Sequence, residues 1–385
     1  MKIAVLTSGG VDSSVALKLL HEAGHDVTAF YLKIWLEDEL SYLGDCPWEE
    51  DLKFVQKICS RNKILLKIIP LQKEYWEKIV QYVIKESKAG RTPNPDILCN
   101  QFIKFGLFYE RIGKQFEKVA TGHYAQIVRG KLGLRSNEVR IGEEKGSMYF
   151  LKRSPDPIKD QTYFLGRLTQ KQLLRALFPI GHLKKSEVRA LAKAYKLPNQ
   201  NRKDSQGICF LGKFKYRDFI QHHLGEKPGD FIDIETKKVV GEHRGYWFYT
   251  IGQRYGLGLS GGPWFVVKKE VKKNRVYLAH GYQPESVKQD HFKVEALHWI
   301  TPNVIPSASS GLSAGSVEGS LDSLRSLGMT LGVKIRHGEA MHDCALTFRG
   351  KKGTVKLKKP IHGIAPGQFA VFYKGNYCLG SGVIS

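Results

Sequence analysis

A glycine-rich segment near the start of the chain has the composition of a phosphate-binding turn. It reads Ser8-Gly9-Gly10-Val11-Asp12-Ser13-Ser14 and follows a short apolar run. Between a strand and a helix, such a turn presents backbone N–H groups to phosphate, and Ser13 and Ser14 add hydroxyl donors. Asp12 is suited to a Mg²⁺ ion that bridges phosphates. A tight turn without a ligand is the alternative, and the placement of the segment favours the phosphate site.

A proline-rich segment at residues 90–100 carries a candidate reactive thiol, Cys99. Residues that precede proline resist helical geometry, so this loop must end before the next helix begins. If Asp96 caps that helix, Cys99 lies near its first turn, where the helix dipole and free N–H groups lower a thiol pKa. A buried apolar cysteine is the alternative. The polar, proline-fixed loop favours the reactive thiol.

A second candidate thiol, Cys209, lies in a glycine-flanked turn at residues 204–212. Sequence spacing cannot bring Cys209 and Cys99 together. From the residues alone, the two cysteines are either a functional pair or unrelated.

The loop at residues 8–14 lacks the Gly-Lys-Ser/Thr ending whose lysine serves the β- and γ-phosphates in ordinary nucleoside triphosphatases. It resembles the pyrophosphatase loop of the ATP-pyrophosphatases, which adenylate a carbonyl oxygen and release pyrophosphate. This resemblance implies a reaction class and leaves the substrate open, because small-metabolite synthetases and tRNA-modifying enzymes share the loop.

Five segments in the same order resemble the tRNA-specific 2-thiouridylases of bacteria and organelles, and this resemblance covers nearly the whole chain. The segments are residues 8–14, 92–100, 121–125, 159–165 and 204–212. Residues 250–254 and 256–258 are similar to the central domain of that family, and residues 365–368 to its C-terminal barrel. Five ordered segments are far more specific than any one of them.

The resemblance implies ATP and Mg²⁺ as cofactors and tRNA as the substrate, with Cys99 as the nucleophile and Cys209 as the carrier of a persulfide from a cysteine-desulfurase relay. Asp96 would act as a general base or orient the uridine. Asp12 would hold the metal. The residues implied to bind ATP are Leu6, Thr7, Ser8, Gly9, Gly10, Val11, Asp12, Ser13, Leu32 and Gly122. Asn94, Pro95 and Asp96 would face the target base, and the tRNA would contact His123, Lys159, Asp160, Gln161, Arg336, His337 and Gln368.

The implied reaction is 2-thiolation of the wobble uridine in tRNAs for Lys, Glu and Gln. The uracil C2 carbonyl needs activation, because its oxygen is a poor leaving group, and adenylation of O2 supplies it. Sulfur from Cys209 then attacks C2, either directly or after Cys99 has released it, and a Cys99–Cys209 disulfide remains. Two alternatives stay open: another ATP-pyrophosphatase with a small-molecule or different tRNA substrate, and a non-catalytic RNA-binding protein with a relic loop.

The sequence departs from the family pattern in two places. Trp247-Phe248-Tyr249 precedes Thr250 where a His-Thr pair is expected, and His337-Gly338-Glu339 follows Arg336 where an aromatic residue and a second Arg are frequent. The Ser- and Gly-rich residues 302–328 resemble an insertion or linker. These departures concern the predicted tRNA contacts rather than the catalytic loops.

The elements that position these segments follow from the hydrophobic pattern. Through about residue 200, short apolar runs alternate with amphipathic stretches, which predicts βα units around a parallel sheet. From about Gly225 onward, short extended runs separated by glycines predict a small β-rich unit and then a barrel. We expect an α/β protein with a nucleotide-binding pyrophosphatase-loop domain at 1–212, a β-rich central domain at 213–296 and a C-terminal tRNA-binding β-barrel at 297–385.

The same pattern gives the bounds of the predicted elements. Strands are predicted at 3–7, 27–32, 64–70, 119–120, 231–234, 264–267, 333–336, 344–348, 354–358, 368–373 and 377–384. Helices are predicted at 13–23, 48–61, 71–88, 100–115, 169–178 and 185–197.

Composition limits the partners and the compartment. Sixty Lys and Arg against 37 Asp and Glu give a formal charge of +23, which attracts polyanions such as nucleic acid, although a spread surface bias would give the same total. No apolar run reaches the roughly 18–20 residues of a membrane span, and residues 1–7 are typical of a buried strand rather than a signal peptide. Six cysteines in 385 residues do not suggest a secreted disulfide scaffold. We expect a cytoplasmic protein without membrane partners.

Overall fold

A computed structural model describes residues 1–34, 48–132, 139–142, 147–204, 215–281, 287–301, 318–319, 331–338 and 340–385. Cys209 and nearly all of residues 302–328 lie outside these ranges. The predictions made for them stay predictions.

The first part of the chain forms the expected parallel sheet, in the order β3-β2-β1-β4-β8. Its central strand β1 is apolar and buried along nearly its whole length, as a strand covered on both faces must be. The strands predicted in this region are confirmed, and the short β8 is added. The bounds are β1 Lys2–Thr7, β2 Asp26–Lys33, β3 Leu65–Pro70, β4 Lys118–Ala120 and β8 Ala176–Leu177.

Helices flank this sheet. The helix predicted at 169–178 ends at Arg175, because the next two residues join the sheet as β8, and the one predicted at 185–197 ends at Ala194. Two long helices, α3 and α4, contain central turns with π-helical geometry. The helices are α1 Val11–Glu22, α2 Trp48–Arg61, α3 (Gln72–Tyr75, Trp76–Val80, Gln81–Lys88), α4 (Pro95–Leu98, Cys99–Leu107, Phe108–Arg111), α5 Thr162–Leu165, α6 Gln170–Arg175, α7 Lys185–Ala194 and α8 Tyr216–Leu224, with single 3₁₀ turns at Gly113–Gln115 and Tyr246–Phe248.

The start of α4 corrects one expectation. Asn94, not Asp96, is the N-cap, because its side-chain oxygen accepts a hydrogen bond from the Ile97 N–H, and Pro95 occupies the first helical position. The helix therefore begins about five residues earlier than predicted. Cys99 lies beyond the first turn and away from its free N–H groups.

A four-stranded sheet in the order β10-β9-β12-β11 forms the central β-rich unit. Phe231, Val266, Val276 and Leu278 build its core together with Tyr246 and Tyr249. The strands predicted at 231–234 and 264–267 are confirmed as β9 and β11, and β10 and β12 are two strands that were not predicted. Their bounds are β9 Gly229–Asp233, β10 Val239–His243, β11 Trp264–Glu270 and β12 Arg275–His280.

Six antiparallel strands close the predicted C-terminal barrel, because β13 pairs with both β17 and β19 at the two ends of the series. The series runs β13-β17-β16-β15-β18-β19, and the short β14 pairs with β16. The bounds are β13 Gln289–Trp299, β14 Glu318–Gly319, β15 Leu331–Lys334, β16 His342–Arg349, β17 Lys352–Ile361, β18 Phe369–Lys374 and β19 Tyr377–Ile384.

Three strands from the first part of the chain extend the barrel sheet: β5 Ala125–Leu132, β6 Val139–Ile141 and β7 Met148–Arg153. Strand β7 pairs with β19 at Leu151 and Cys378. The sequence analysis did not predict this extension. One apolar cluster also joins the two parts, since it contains Ile97 and Tyr163 together with Phe369 and Tyr373. The nucleotide-binding part and the barrel therefore share both a sheet and a core.

Among the described residues, none of the helices has the length and apolar character needed to cross a membrane.

Candidate functional site

The glycine-rich loop lies between β1 and α1, as predicted. Gly10 precedes the helix in an extended conformation, and Gly9 has a φ of +71°. A Cβ on Gly9 would lie 2.6 Å from the backbone oxygen of Asp51, so glycine is required by both conformation and space. The backbone can therefore approach a ligand closely at this point.

The serine hydroxyls shape the loop. Ser13 Oγ accepts a hydrogen bond from the Ser8 N–H at 3.2 Å and donates to the Gly10 oxygen at 3.1 Å. Ser14 Oγ donates to the same oxygen at 2.9 Å. These bonds hold the turn in place, and the proposed donation to phosphate stays a prediction.

The other predicted ATP residues surround this loop at the carboxyl edge of the sheet. Leu6 and Thr7 end β1, Leu32 lies near the end of β2, and Gly122 follows β4. Strand β1 has β2 on one side and β4 on the other, which is the reversal of strand order where open α/β sheets bind ligands. A Cβ on Gly122 would lie 2.7 Å from Ser13 N, so only glycine allows this close packing. The structure brings the predicted set together.

A chain of alternating charges starts at this loop. The Lys185 ammonium lies 2.7 and 2.9 Å from the two carboxylate oxygens of Asp12 and 2.8 Å from Asp204. Asp204 also pairs with Lys159 at 2.5 Å and with Arg189 at 2.6 Å. Burial alone would raise the pKa of Asp204, but hydrogen bonds and charges from Lys159 and Lys185 lower it to about 2. These ion pairs link the glycine-rich loop to Asp204, the first residue of the segment at 204–212 that contains Cys209.

Tyr124 completes the surroundings of Asp12. Its hydroxyl donates to Asp12 Oδ1 at 2.8 Å, and burial, followed by the Asp12 charge and hydrogen bond, raises the pKa of this hydroxyl. Within the described ranges, there is no cluster of three or more potential metal-ligating side chains. A single carboxylate fits Mg²⁺ that is otherwise held by phosphates and water.

Cys99 lies on α4 and is 2% exposed, packed in a cluster with Tyr75, Ile79 and Ile103. Leu32 packs against the same cluster. Leu32, which is expected to lie beside ATP, and Cys99, the predicted nucleophile, are therefore connected through the same apolar cluster. Asp96, one turn before Cys99, is half-buried.

The loop that precedes α4 is held by the other two parts of the chain. The Thr92 N–H donates to the Pro366 oxygen at 2.7 Å, and the Thr92 hydroxyl donates to the Thr250 hydroxyl at 3.4 Å. Asn94 Nδ2 donates to Gln368 Oε1 at 3.2 Å, and Gln368 Nε2 donates to the Pro93 oxygen at 3.4 Å. The nucleotide-binding, central and barrel parts meet at this loop.

The predicted tRNA contacts at 159–161 already have partners within the chain. Asp160 is 2% exposed and pairs with Arg153 at 2.8 Å and with Lys334 at 3.7 Å. Gln161 accepts a hydrogen bond from the Tyr124 N–H. Lys159 has a 32% exposed side chain and pairs with Asp204. Of the three, Asp160 is the one whose side chain is enclosed.

The other predicted tRNA contacts lie in two places: His123 is half-buried beside Phe178, and Arg336 and His337 lie where the barrel meets the other parts of the chain. Burial, with a smaller contribution from Lys104, holds the pKa of His123 well below its ordinary value. Arg336 donates to the backbone oxygens of Ile251 at 2.9 Å and Gly363 at 2.5 Å, which ties the central part to the barrel. His337 is exposed and stacks on Phe164 with ring centroids 4.5 Å apart.

Several side chains at this site were not predicted, and three of them contact the glycine-rich loop directly: Lys185, Asn199 and Tyr124. Lys185 and Asn199 lie outside the recognised segments, and no local pattern marks them; Asn199 Nδ2 donates to Gly9 O at 2.8 Å and to Ser14 Oγ at 2.9 Å. Tyr124 lies within the segment at 121–125, next to His123, and its place in that segment was the one sequence feature that could have marked it as a site residue.

A parallel sheet with a glycine-rich loop at its reversal point defines an adenine-nucleotide-binding α/β protein of the ATP-pyrophosphatase class. Family models described as tRNA methyl transferase HUP domain, tRNA methyl transferase PRC-barrel domain and aminomethyltransferase beta-barrel domain match residues 1–213, 217–280 and 289–384. Proteins named tRNA-specific 2-thiouridylase are 44 to 45% identical to this chain over its whole length, so the chain belongs to the tRNA-specific 2-thiouridylase family.

Relatives of this family align with the whole chain. The tRNA-specific 2-thiouridylase MnmA of Parabacteroides distasonis is 45% identical over 100% of this chain and 99% of its own length. The protein of the same name from Porphyromonas gingivalis is 44% identical over the same shares. The tRNA-specific 2-thiouridylase MnmA 1 of Bacteroides thetaiotaomicron is 44% identical over 100% of both chains.

Proposed function

We propose that this enzyme uses ATP to replace O2 of the wobble uridine of tRNA with sulfur, in tRNAs for Lys, Glu and Gln. The observation that carries the proposal is the position of Leu32. It belongs to the edge of the sheet that carries the glycine-rich loop, and it packs against the cluster that contains Cys99. ATP bound at the glycine-rich loop and the thiol of Cys99 would thus lie on neighbouring sides of a uracil base placed between them.

One set of residues activates the uracil C2 carbonyl, and a second set transfers the sulfur. ATP, when bound, supplies the adenylyl group that makes the uracil O2 a leaving group. The backbone of residues 9–13 and the N-terminus of α1 hold the phosphates, and Asp12 is the residue for Mg²⁺. Asp96 orients the uridine or takes up its proton. Residues 92–94 keep the start of α4, and with it Asp96, in place because the barrel and the central part hold these residues.

Sulfur transfer uses Cys209 and Cys99. A donor protein of a cysteine-desulfurase relay delivers a persulfide to Cys209. In one order, the terminal sulfur attacks C2, AMP leaves with the former O2, and the Cys99 thiolate attacks the Cys209 sulfur, which frees the thiouridine and leaves a disulfide. In the other, Cys99 first releases hydrosulfide, which then attacks C2. Both orders end with AMP, 2-thiouridine and a Cys99–Cys209 disulfide.

The domain assignment and the location complete the proposal. The first two parts of the proposed division at 1–212, 213–296 and 297–385 agree with the family-model matches at 1–213 and 217–280, whereas the third match begins at 289, where β13 of the barrel also begins. The barrel binds tRNA through its basic residues, which include Lys352, Lys356 and Lys358. The tRNA substrate supports a cytoplasmic location.

A reconstitution tests this function. Purified protein is incubated with a tRNA-Glu transcript, Mg²⁺-ATP and sulfide or a persulfide donor, and the nucleosides are analysed by mass spectrometry. We expect 2-thiouridine that depends on ATP, and none from Cys99→Ser or Cys209→Ser when the persulfide donor is used. A parallel reaction contains S-adenosylmethionine, because two of the family models are described as methyl transferase domains. A methylated product in place of a thiolated one would overturn the proposal.

A further inference from the structure

The Lys185 ammonium lies beside the glycine-rich loop although 173 positions separate it from Asp12 in the sequence. Lys185 is the first residue of α7, and its side chain is 15% exposed. Its nitrogen contacts both carboxylate oxygens of Asp12, which is the second residue of α1. The N-terminus of α1 is where the loop would hold phosphate. A cationic group on a long side chain therefore lies beside the place where the loop would hold phosphate.

The partners of Lys185 keep other contacts when its ammonium moves. Asp204 retains Lys159 at 2.5 Å and Arg189 at 2.6 Å, and Asp12 retains the Tyr124 hydroxyl at 2.8 Å. The loss of Lys185 leaves neither carboxylate without a hydrogen-bond partner. The ammonium can exchange a carboxylate for a phosphate at small cost, since both are anionic acceptors.

We propose that Lys185 binds the pyrophosphate portion of ATP and supplies, from α7, the lysine that the loop itself lacks. The inference rests on the proposed function and deepens it. In the adenylation step, a bond forms between uracil O2 and the α-phosphorus, and the bond from that phosphorus to the bridging oxygen breaks. The electron pair leaves with pyrophosphate. Lys185 stays protonated and offsets the charge that grows on this leaving group.

Equilibrium binding to the full-length protein in the presence of Mg²⁺ tests the proposal without turnover. The ligands are inorganic pyrophosphate, α,β-methylene-ATP and AMP, and calorimetry measures each dissociation constant. Lys185→Met should weaken pyrophosphate and the analogue about 10- to 100-fold, the range of a hydrogen bond to a charged group. AMP binding should change less than about twofold, because AMP lacks the leaving pyrophosphate.

Two matched variants separate phosphate binding from a structural role. Lys193→Met removes the same charge from an exposed position on the same helix and should leave all three affinities unchanged. Asp204→Asn removes a partner of Lys185 and should retain the affinity for pyrophosphate. If Asp204→Asn loses this affinity as fully as Lys185→Met, Lys185 acts only through its ion pairs, and the proposal is wrong.

A measurement on the unaltered protein covers the case in which Lys185→Met fails to fold. Lysines are acetylated with a water-soluble reagent, and the modified sites are quantified by mass spectrometry. Pyrophosphate should slow acetylation of Lys185 at least several-fold, whereas AMP and sodium chloride of equal ionic strength should not. Equal acetylation with and without pyrophosphate would overturn the inference. Failure of the wild-type protein to bind any of the three ligands would instead contradict the proposed function itself.

Discussion

Asn94 and Gln368 form a direct side-chain contact between the cap of the Cys99 helix and the barrel, with Asn94 Nδ2 donating to Gln368 Oε1 at 3.2 Å. Asn94 also caps α4 through the Ile97 N–H. One amide therefore fixes both the start of the helix and its position against the barrel. The residue expected to face the target base and a residue expected to contact tRNA hold each other in place.

Removal of the Gln368 amide should loosen this contact. We expect Gln368→Ala to lower the rate of thiolation about fivefold, the effect of roughly 1 kcal/mol for a partly buried hydrogen bond. Amide exchange in residues 91–99 should become faster, while binding of ATP stays unchanged. Gln289→Ala is the control, because Gln289 is exposed on β13 of the same barrel. Exchange rates equal to those of the wild type would show that Gln368 does not hold the loop.

The ion cluster of Asp160 should stabilise the junction between the nucleotide-binding part and the barrel. Asp160→Asn leaves Arg153 and Lys334 without their carboxylate, and Lys334 has only 4% of its side chain exposed. Breaking a buried pair in this way costs about 3 to 5 kcal/mol. Thermal unfolding should show a clear loss, and the double variant Asp160→Asn/Lys334→Met should regain part of it.

A surface pair provides the comparison for this prediction. Lys352 and Glu295 lie 3.6 Å apart, with side chains 79% and 53% exposed. Lys352→Met should change stability by less than about 1 kcal/mol, because exposed pairs contribute little. Equal losses in Asp160→Asn and Lys352→Met would contradict the assignment of Asp160 to a buried stabilising cluster.

Local sequence patterns predicted most elements, because apolar alternation and helical spacing are local properties. Among the strands that were not predicted, β5–β7 join the barrel sheet through pairing between Leu151 and Cys378, which no local pattern indicates. Strands β8, β10, β12, β13 and β14 were not predicted either. The cap of α4 was assigned to Asp96 although both Asn and Asp are good caps. Pro95 at the first helical position was the signal for Asn94, since proline is favoured there.

The candidate site was predictable to a similar extent. The glycine-rich loop and its neighbours at Leu32 and Gly122 meet as expected, because the carboxyl ends of parallel strands share one edge. Lys185 reaches the loop from a helix that starts far along the chain, and only the three-dimensional packing shows this. The enclosure of Asp160 has the same origin, because its partner Lys334 belongs to the barrel.

The depressed pKa of Asp204 predicts a pH dependence of stability. Its folded-state pKa of about 2 lies below the roughly 3.9 of an unfolded Asp. The ionised carboxylate is therefore favoured by folding, and its contribution is fully present above about pH 4 and is lost as the pH falls towards 2. Urea unfolding at several pH values should show a smaller decline between pH 5 and 3 in Asp204→Asn than in the wild type. Identical slopes would show that Asp204 does not stabilise the fold through its charge.

Gly122 should be indispensable for the nucleotide site because of space. A methyl group there would lie 2.7 Å from Ser13 N and 2.8 Å from the Asp12 carbonyl carbon, so the N-terminus of α1 would have to shift. Overpacking of this kind costs about 1 to 3 kcal/mol, and the shifted loop should bind ATP at least about tenfold more weakly. Gly142→Ala is the control, since nothing lies within 4 Å of its added methyl group. Calorimetric titration with ATP and thermal unfolding of both variants check the prediction, and wild-type ATP affinity in Gly122→Ala would exclude Gly122 from the nucleotide site.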